Sequence, residues 1–447
     1  MGVTPHFVAA PSCTHGAFAE IEEHRKTMAR TPRATRLRRA SSTRLSRARR
    51  REEGRVAPHV AGAAALVVLV VGIGIWTSTR AGDEQPGAEG PTQPGAPTAT
   101  SPAAESCVDT GRVPLVDLGV QAATGNDDRP QLSDAEIGAL VALAEDAGAD
   151  VISTTASFRA MKPSEAGRYR FDGMDRVISA ARNAGLEVRL RLMLMPDWAL
   201  DEPNGTPRQP PRSDDELARW SRFVGDVMRH VDGQVSYVEV WNEPNAQKYW
   251  STGPDPVEFA RLLGVTHQVM EQVAPDVTVI SGGLNGNDIG FLRKTYQAFE
   301  TIGLEETPFD QLGAHPFAGA AAPEEIDPAE IYERDPYGLY DANYTGFETL
   351  HDVMADNGDD DLPVYLSAFG YSTKGTQGTA PVDDATRAGY LAEAFDIATC
   401  TGYVAGLSWY AFHPTPWDPP AWTLLDPRGK PNRTYAALQE WADSTRR

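Results

Sequence analysis

A (β/α)8 TIM barrel is the fold class this sequence predicts, and three observations predict it. From Val113 onward, short apolar runs rich in β-branched residues alternate with amphipathic stretches at helical spacing. Eight such runs fit before Trp441, each followed by a helix or loop. No Gly-rich phosphate turn follows the first strand, which counts against a doubly wound open sheet.

The elements follow in order. Residues 116–120 form the first strand, and Ser133-Asp134-Ala135-Glu136 is a capping box opening a helix to about Ala147. Residues 151–155 make strand two, and 171–184 a helix stopped by Gly185. Residues 186–193 are strand three, with 215–230 as its helix. Residues 235–240 are strand four, followed by a helix over 256–273. Strand five covers 277–281, a helix 291–300 and strand six 309–314. A helix over 347–355, strand seven over 364–368, a helix over 385–399 and strand eight over 404–412 complete the series.

The first hundred residues differ in character. Residues 1–80 hold 14 Lys+Arg and 5 Asp+Glu, which leaves 27 basic and 57 acidic residues in the remainder. So acidic a main body argues against nucleic acid as a partner. Residues 60–76 are uninterrupted apolar or small residues, behind a leader crowded with Arg36, Arg38, Arg39, Arg47, Arg49, Arg50 and Arg51. This predicts a cytoplasmic, disordered Arg-rich tail over 1–57 and a single transmembrane signal-anchor over 58–77. The leader is long and lacks an Ala-x-Ala site, which favours an anchor over a cleaved signal. Residues 78–106 are a Pro/Gly/Thr-rich linker and 107–447 the extracellular barrel domain at the cell membrane. On that topology Cys13 is reduced, and Cys107 and Cys400 lie outside, where a disulfide would persist. The alternative is two buried free thiols. No metal-ligand cluster or nucleotide loop appears, so no cofactor is expected.

The chain is organised around Tyr237-Val238-Glu239-Val240-Trp241-Asn242-Glu243-Pro244-Asn245. Pro244 cannot donate to a ladder, so it should stop strand four and leave Glu243 at the strand exit. Trp241 and Val240 should form an apolar wall that raises the proton affinity of Glu243, as a general acid requires. A strand-end Glu that merely caps the next helix is the plainer alternative. Barrel chemistry sits at the carboxyl ends of strands. Those ends carry Phe158 and Arg159, Trp198, Asn242 and Glu243, Asn285, His315, Trp409 and Tyr410. Tyr249, Trp250, Tyr337, Tyr340, Trp417 and Trp422 fall in the loops between. Aromatic rings at a cleft rim stack on the apolar faces of sugars, which points to a carbohydrate cleft.

These residues resemble the clan A retaining glycoside hydrolases, barrel enzymes of the cellulase, β-xylosidase and iduronidase type. Trp241-Asn242-Glu243-Pro244-Asn245, His315-Pro316-Phe317, Phe158-Arg159-Ala160-Met161-Lys162-Pro163 with Tyr169-Arg170-Phe171-Asp172, Trp409, and Leu425-Asp426-Pro427-Arg428-Gly429-Lys430-Pro431 carry the resemblance, from about Val113 to Trp441. It implies that Glu243 is the acid/base, that Asn242 holds the sugar 2-hydroxyl, and that His315 and Trp409 line the site. Phe158, Trp198, Tyr249 and Trp250 join them as expected substrate-binding residues.

The retaining mechanism needs a second carboxylate ~5 Å from the first. The family carries it on strand seven in a segment reading roughly Leu-Thr-Glu-Phe-Gly-Trp-Ser-Thr. Here the segment is Leu366-Ser367-Ala368-Phe369-Gly370-Tyr371-Ser372-Thr373, so Ala368 stands at the nucleophile's position. No Asp or Glu lies between Asp361 and Asp383 to replace it. Ser153 stands where the family often has an arginine, and Met193-Leu194-Met195 is apolar where a polar sugar ligand is expected. Three functions fit this pattern. The first is hydrolysis of a polysaccharide or glycoside with a substitute carboxylate, from Asp288, Glu333, Asp335 or Asp341. The second is a carbohydrate-binding pseudoenzyme, and the third a scaffold that uses the barrel as a platform.

Overall fold

In the computed structural model, nine parallel strands form one curled sheet, consistent with an α/β barrel. Residues 114–121, 132–325, 343–375, 380–416 and 418–445 are described. The expected tail, membrane span and linker, and Glu333, Asp335, Tyr337, Tyr340, Asp341 and Trp417, lie outside them. Among the described residues no helix is long and apolar enough to cross a membrane.

The first half runs β1 (Leu115–Gly119), α1 (Asp134–Asp146), β2 (Val151–Ser157), α2 (Phe158–Met161), α3 (Asp172–Asn183), β3 (Glu187–Met193), α4 (Asp214–His230) and β4 (Tyr237–Val240). The second half runs α5 (Pro256–Val273), β5 (Thr278–Ile280), β6 (Leu284–Asn285), α6 (Ile289–Thr301), β7 (Leu312–His315), α7 (Phe347–Asp356), β8 (Val364–Phe369), α8 (Asp384–Thr401), β9 (Val404–Trp409) and α9 (Arg433–Thr445). Helix starts follow local chemistry. Ser133 and Glu136 close a reciprocal capping box on α1, and Ser213 with Glu216 does the same on α4. Asp255 caps α5, with Pro256 in the first turn. Cys400, on α8, is disulfide-bonded, and its expected partner Cys107 lies outside the described residues.

Strand order is β5-β4-β3-β2-β1-β9-β8-β7-β6. The fifth expected strand is β5, and a further short strand, β6, follows it beyond Ser281, Gly282 and Gly283. A Cβ on Gly282 would meet the Val240 carbonyl at 2.6 Å, and one on Gly313 the Ser281 carbonyl at 2.5 Å. The backbones approach too closely there for regular laddering. Isolated bridges Asn242↔Gly283 and Ile280↔Gln311 carry the pairing across the gap, from β4 to the segment before β7. The fourth strand ends at Val240, as its sequence suggests, and starts two residues later, at Tyr237. Pro244 is not what stops it: Trp241 already has φ 73°, a left-handed conformation outside the extended range.

The sheet interior contains a buried charge cluster. Arg189 on β3 donates Nε–H to Asp117 of β1 at 2.6 Å and pairs through its Nη1 with Glu239 of β4. Its other nitrogen reaches the Ser367 carbonyl and the Ser408 hydroxyl, each at 3.4 Å, on β8 and β9. Tyr365 donates its hydroxyl to Asp117 at 2.9 Å, under the guanidinium face. Gly406 leaves room for that ring, since a Cβ there would sit 2.6 Å from it. Arg191, next but one along β3, donates to Glu239 at 2.7 Å. Burial works to raise the Glu239 pKa, but Arg191, Arg189, His315 and the Ser367 hydroxyl bring it down to about 2.

Two measurements check this. Replacing Arg189 by Met leaves two buried carboxylates short of a partner and should cost about 3–5 kcal/mol in urea unfolding. Because the folded-state pKa of Glu239 lies below its ordinary value, its contribution is present above pH ~4.5 and is lost as pH falls through ~2. Wild-type unfolding free energy should therefore drop more steeply than that of Glu239→Gln across this window, by about 3 kcal/mol in all. Parallel pH dependences would rule the assignment out.

Candidate functional site

Among the described residues, four non-glycine residues adopt left-handed backbone, and all lie just past the carboxyl ends of strands. Leu194 (φ 67°) follows β3, Trp241 (73°) and Glu243 (45°) follow β4, and Asn287 (51°) follows β6. Such conformations cost on the order of 1–3 kcal/mol each and persist only where surrounding contacts impose them. Around Glu243 those contacts are visible. Its N–H donates to the Gly283 carbonyl at 3.1 Å, and Ala246 N–H donates back to its carbonyl at 3.0 Å. Asn245 pins the neighbouring loop by exchanging hydrogen bonds with the Asn285 backbone, 2.9 Å each way.

The Glu243 side chain retains 16% exposure and faces His315, Oε1 to Nδ1 at 3.1 Å. His315, at the end of β7, is almost wholly buried. Its Nε2 lies 3.1 Å from Ser367 Oγ, and Ser367 donates to Glu239 Oε1 at 2.7 Å. A continuous path of hydrogen bonds therefore runs from the charge cluster inside the sheet to the carboxyl at its mouth. Gly283 makes the path possible. A Cβ there would stand 2.2 Å from His315 Nε2 and 2.6 Å from Ser367 Oγ.

Ala368 follows Ser367 on β8 and is 9% exposed. In a regular strand, Tyr365 and Ser367 facing inward would turn Ala368 outward. The β8–β9 register breaks that alternation: Leu366 pairs with Leu407 and Phe369 with Trp409, so Ser367 and Ala368 together oppose Ser408. This is a β-bulge, which re-aims side chains.

Tyr410 follows β9. Its ring meets Phe317 edge-on at 5.9 Å, and Phe317 meets His315 edge-on at 6.3 Å. Its hydroxyl hydrogen-bonds Asp418, and burial, then Asp418, Tyr249 and Glu243, hold its pKa far above the usual phenol range. Asp418 is partly exposed and accepts from the Thr415 hydroxyl at 2.6 Å.

Other expected ligand residues are placed differently. The expected apolar wall of Trp241 is turned away: its ring packs against Trp220 of α4 and against Trp250, and its N–H donates to the Tyr249 carbonyl. Trp250 is fully buried and donates to Glu258 of α5, so its faces are covered. Phe158 is buried too, stacked on Phe223 at 4.3 Å. These two pack the helix layer instead of offering a face to a sugar. Trp409 is 2% exposed, against Phe369 and Tyr371. Trp198 and Tyr249 remain partly exposed. Trp198 lines a cavity of about 400 Å³ with Arg159, Pro163, Ser164, Glu165, Pro196 and Asp197. Tyr249 lies beneath Arg208 and Lys248. Asn242 is buried and bridges to Gly283. Asp288 is not free to activate water, because its carboxylate caps α6 at Phe291 N and receives Asn245 Nδ2.

Sequence reasoning missed Ser367, Glu239, Arg189 and Arg191. Their signal was present as charges at every second position of β3, Glu187, Arg189 and Arg191, opposite a lone Glu239 on β4. Among the described residues no group of three His, Cys, Asp or Glu could hold a metal ion.

Solved structures share this fold. A family 39 glycoside hydrolase from the gut symbiont Bacteroides cellulosilyticus WH2 matches with TM-score 0.57 and 22% identity, over 75% of this chain and 65% of that one. A monomeric β-xylosidase from Caulobacter crescentus CB15 matches with TM-score 0.53 and 17% identity, over 73% and 67%. A family 39 enzyme from Xanthomonas axonopodis pv. citri matches with TM-score 0.53 and 16% identity, over 73% and 65%. The matches span about two thirds of each of these chains. No protein-family model and no curated protein matches the sequence. At these identities the likeness is one of fold: this chain has the barrel-type architecture found in glycoside hydrolases.

Proposed function

We propose that this protein is a glycoside-hydrolase-like carbohydrate-binding protein that keeps the proton-donating half of the site and lacks the attacking half. The observation that carries this is the pairing of Glu243 with His315 at the sheet mouth; that Ala368 stands in the nucleophile's place is read from the resemblance of its segment. A methyl group can neither attack an anomeric carbon nor stabilise positive charge on it, so double displacement has no nucleophile. Glu243 is the acid/base on this reading, His315 orients its carboxyl, Asn242 holds the sugar hydroxyl, and Trp198 and Tyr249 supply partly exposed aromatic surface. Polysaccharide or glycoside is the ligand class. The Arg-rich leader and the apolar run at 60–76 support placing the barrel outside a cell membrane, tethered by a single span over 58–77 and the linker.

A second reading, inverting hydrolysis, is favoured by Asp418. It is a partly exposed carboxylate at the same mouth, linked through Tyr410 toward Glu243. In single displacement a base takes a proton from water while the acid protonates the leaving oxygen.

Three substitutions in the full-length protein separate these. Ala368→Glu should raise hydrolysis of aryl glycosides well above wild type, and adding Glu243→Gln should then remove about 10²–10⁴-fold of the gain. No gain from Ala368→Glu would contradict a site lacking only its nucleophile. Should wild type itself turn over, Asp418→Asn abolishing that activity would favour inversion, and proton NMR would show product of the opposite anomeric configuration. Calorimetry with an oligosaccharide panel reads binding directly, and silence across the panel would overturn the carbohydrate reading.

A further inference from the structure

We propose that Glu239 is a positioning residue for Glu243: through Ser367 and His315, its arginine-clamped carboxylate dictates that one proton lies between the His315 ring and the Glu243 carboxyl. The inference rests on the reading of Glu243 as proton donor only for its functional meaning. Its structural content follows from counting donors and acceptors.

Glu239 is wholly buried and meets two guanidinium groups at Oε2, from Arg189 and Arg191. A carboxylate so held offers acceptors only. At Oε1 it takes the Ser367 hydroxyl at 2.7 Å and the Gly283 N–H at 3.3 Å. Ser367 has one hydroxyl proton, and that proton points at Glu239. Toward His315 Nε2, 3.1 Å away, Ser367 therefore has only a lone pair to present. The proton in that contact must come from His315, so Nε2 carries hydrogen.

The consequence appears on the other side of the ring. In a neutral imidazole with Nε2–H, Nδ1 is a bare lone pair. It faces Glu243 Oε1 at 3.1 Å. Two acceptors at that distance repel unless a proton lies between them. The pair thus holds one proton, on the carboxyl oxygen or on Nδ1, aimed along the Nδ1–Oε1 line. Glu239, His315 and Ser367 are at most 1% exposed, which leaves little room for solvent to substitute at either link. Gly283 permits the close approach of both partners. A glutamate that must deliver a proton to a leaving oxygen is in this way kept loaded by a charge two residues removed from it. Had Glu239 been neutral, Ser367 could have turned its hydroxyl toward His315, and the ring could have offered Nδ1–H to an unprotonated Glu243.

Nitrogen-15 NMR of the full-length protein, with labelled histidine and the His315 signals assigned by their loss in His315→Gln, reads this without turnover. At pH 7 the wild type should show hydrogen on His315 Nε2. A ring with hydrogen on Nδ1 alone and a bare Nε2 would overturn the proposal. Glu239→Gln should abolish the preference, giving a mixture of tautomers. Ser367→Ala should shift the Nε2 signal, and Ser367→Thr, which keeps the hydroxyl, should restore the wild-type pattern. If Glu239→Gln does not fold, the Ser367 pair decides: unchanged His315 signals in Ser367→Ala would overturn the relay. The expected NMR pattern together with hydrolysis by the Ala368→Glu variant that is indifferent to an added Glu243→Gln would sink the catalytic reading and leave the proton arrangement standing.

Discussion

A guanidinium buried among strands must be surrounded by oxygen, and the geometry of this protein's mouth descends from how Arg189 meets that requirement. Asp117, Glu239, the Ser367 carbonyl and Ser408 reach it from four strands, which fixes those strands relative to β3. Removing either charge type alone would strand the other in a low-dielectric interior, so the cluster is retained as a unit or not at all. Its outward face is Glu239, and from there Ser367 and His315 step toward Glu243. A charge inside the sheet and a carboxyl at its rim are thereby parts of one hydrogen-bond path.

The same path explains why small residues stand where they do. Gly283, Gly313 and Gly406 each occupy a spot where an added carbon would strike a member of the cluster, its histidine or a crossing backbone. The left-handed conformations at Trp241 and Glu243 then break the extended backbone after β4. One ring goes outward to the tryptophan cluster around Trp220, and one carboxyl toward His315. On our proposal the strain at Glu243 is the cost of holding a proton donor at the mouth while the neighbouring β8 bulge carries no partner carboxylate.

Much of the architecture was legible in the sequence, because alternation of apolar runs and amphipathic helices depends on local periodicity. The capping box at Ser133 and the helix starting at Pro256 were readable for the same reason. What escaped was set by contacts between distant segments. The break between β5 and the extra strand β6 depends on how closely Gly282 passes the Val240 carbonyl, and no local pattern reports that. The end of β4 at Val240 was legible, but its cause is a backbone angle at Trp241, which Pro244 does not report. Phe158 and Trp250 looked like cleft aromatics because they follow strand ends, yet the helices behind cover them. The buried charges on β3 and β4 were visible as letters, but their meaning appears only once their strands pair. The position of Ala368 is read from resemblance, and the bulge beside it depends on how β8 pairs with β9.

A barrel-type fold by itself hosts many chemistries, so the lack of an attacking carboxylate is the claim on which the functional conclusion turns. The most direct measurement is intact-mass spectrometry of the full-length protein after incubation with a panel of 2-deoxy-2-fluoroglycosyl fluorides, which trap a glycosyl group on any carboxylate that attacks. We expect unmodified mass for the wild type and a single adduct, mapped to position 368, for the Ala368→Glu variant. A stable adduct on any aspartate or glutamate of the wild-type chain would contradict the claim outright.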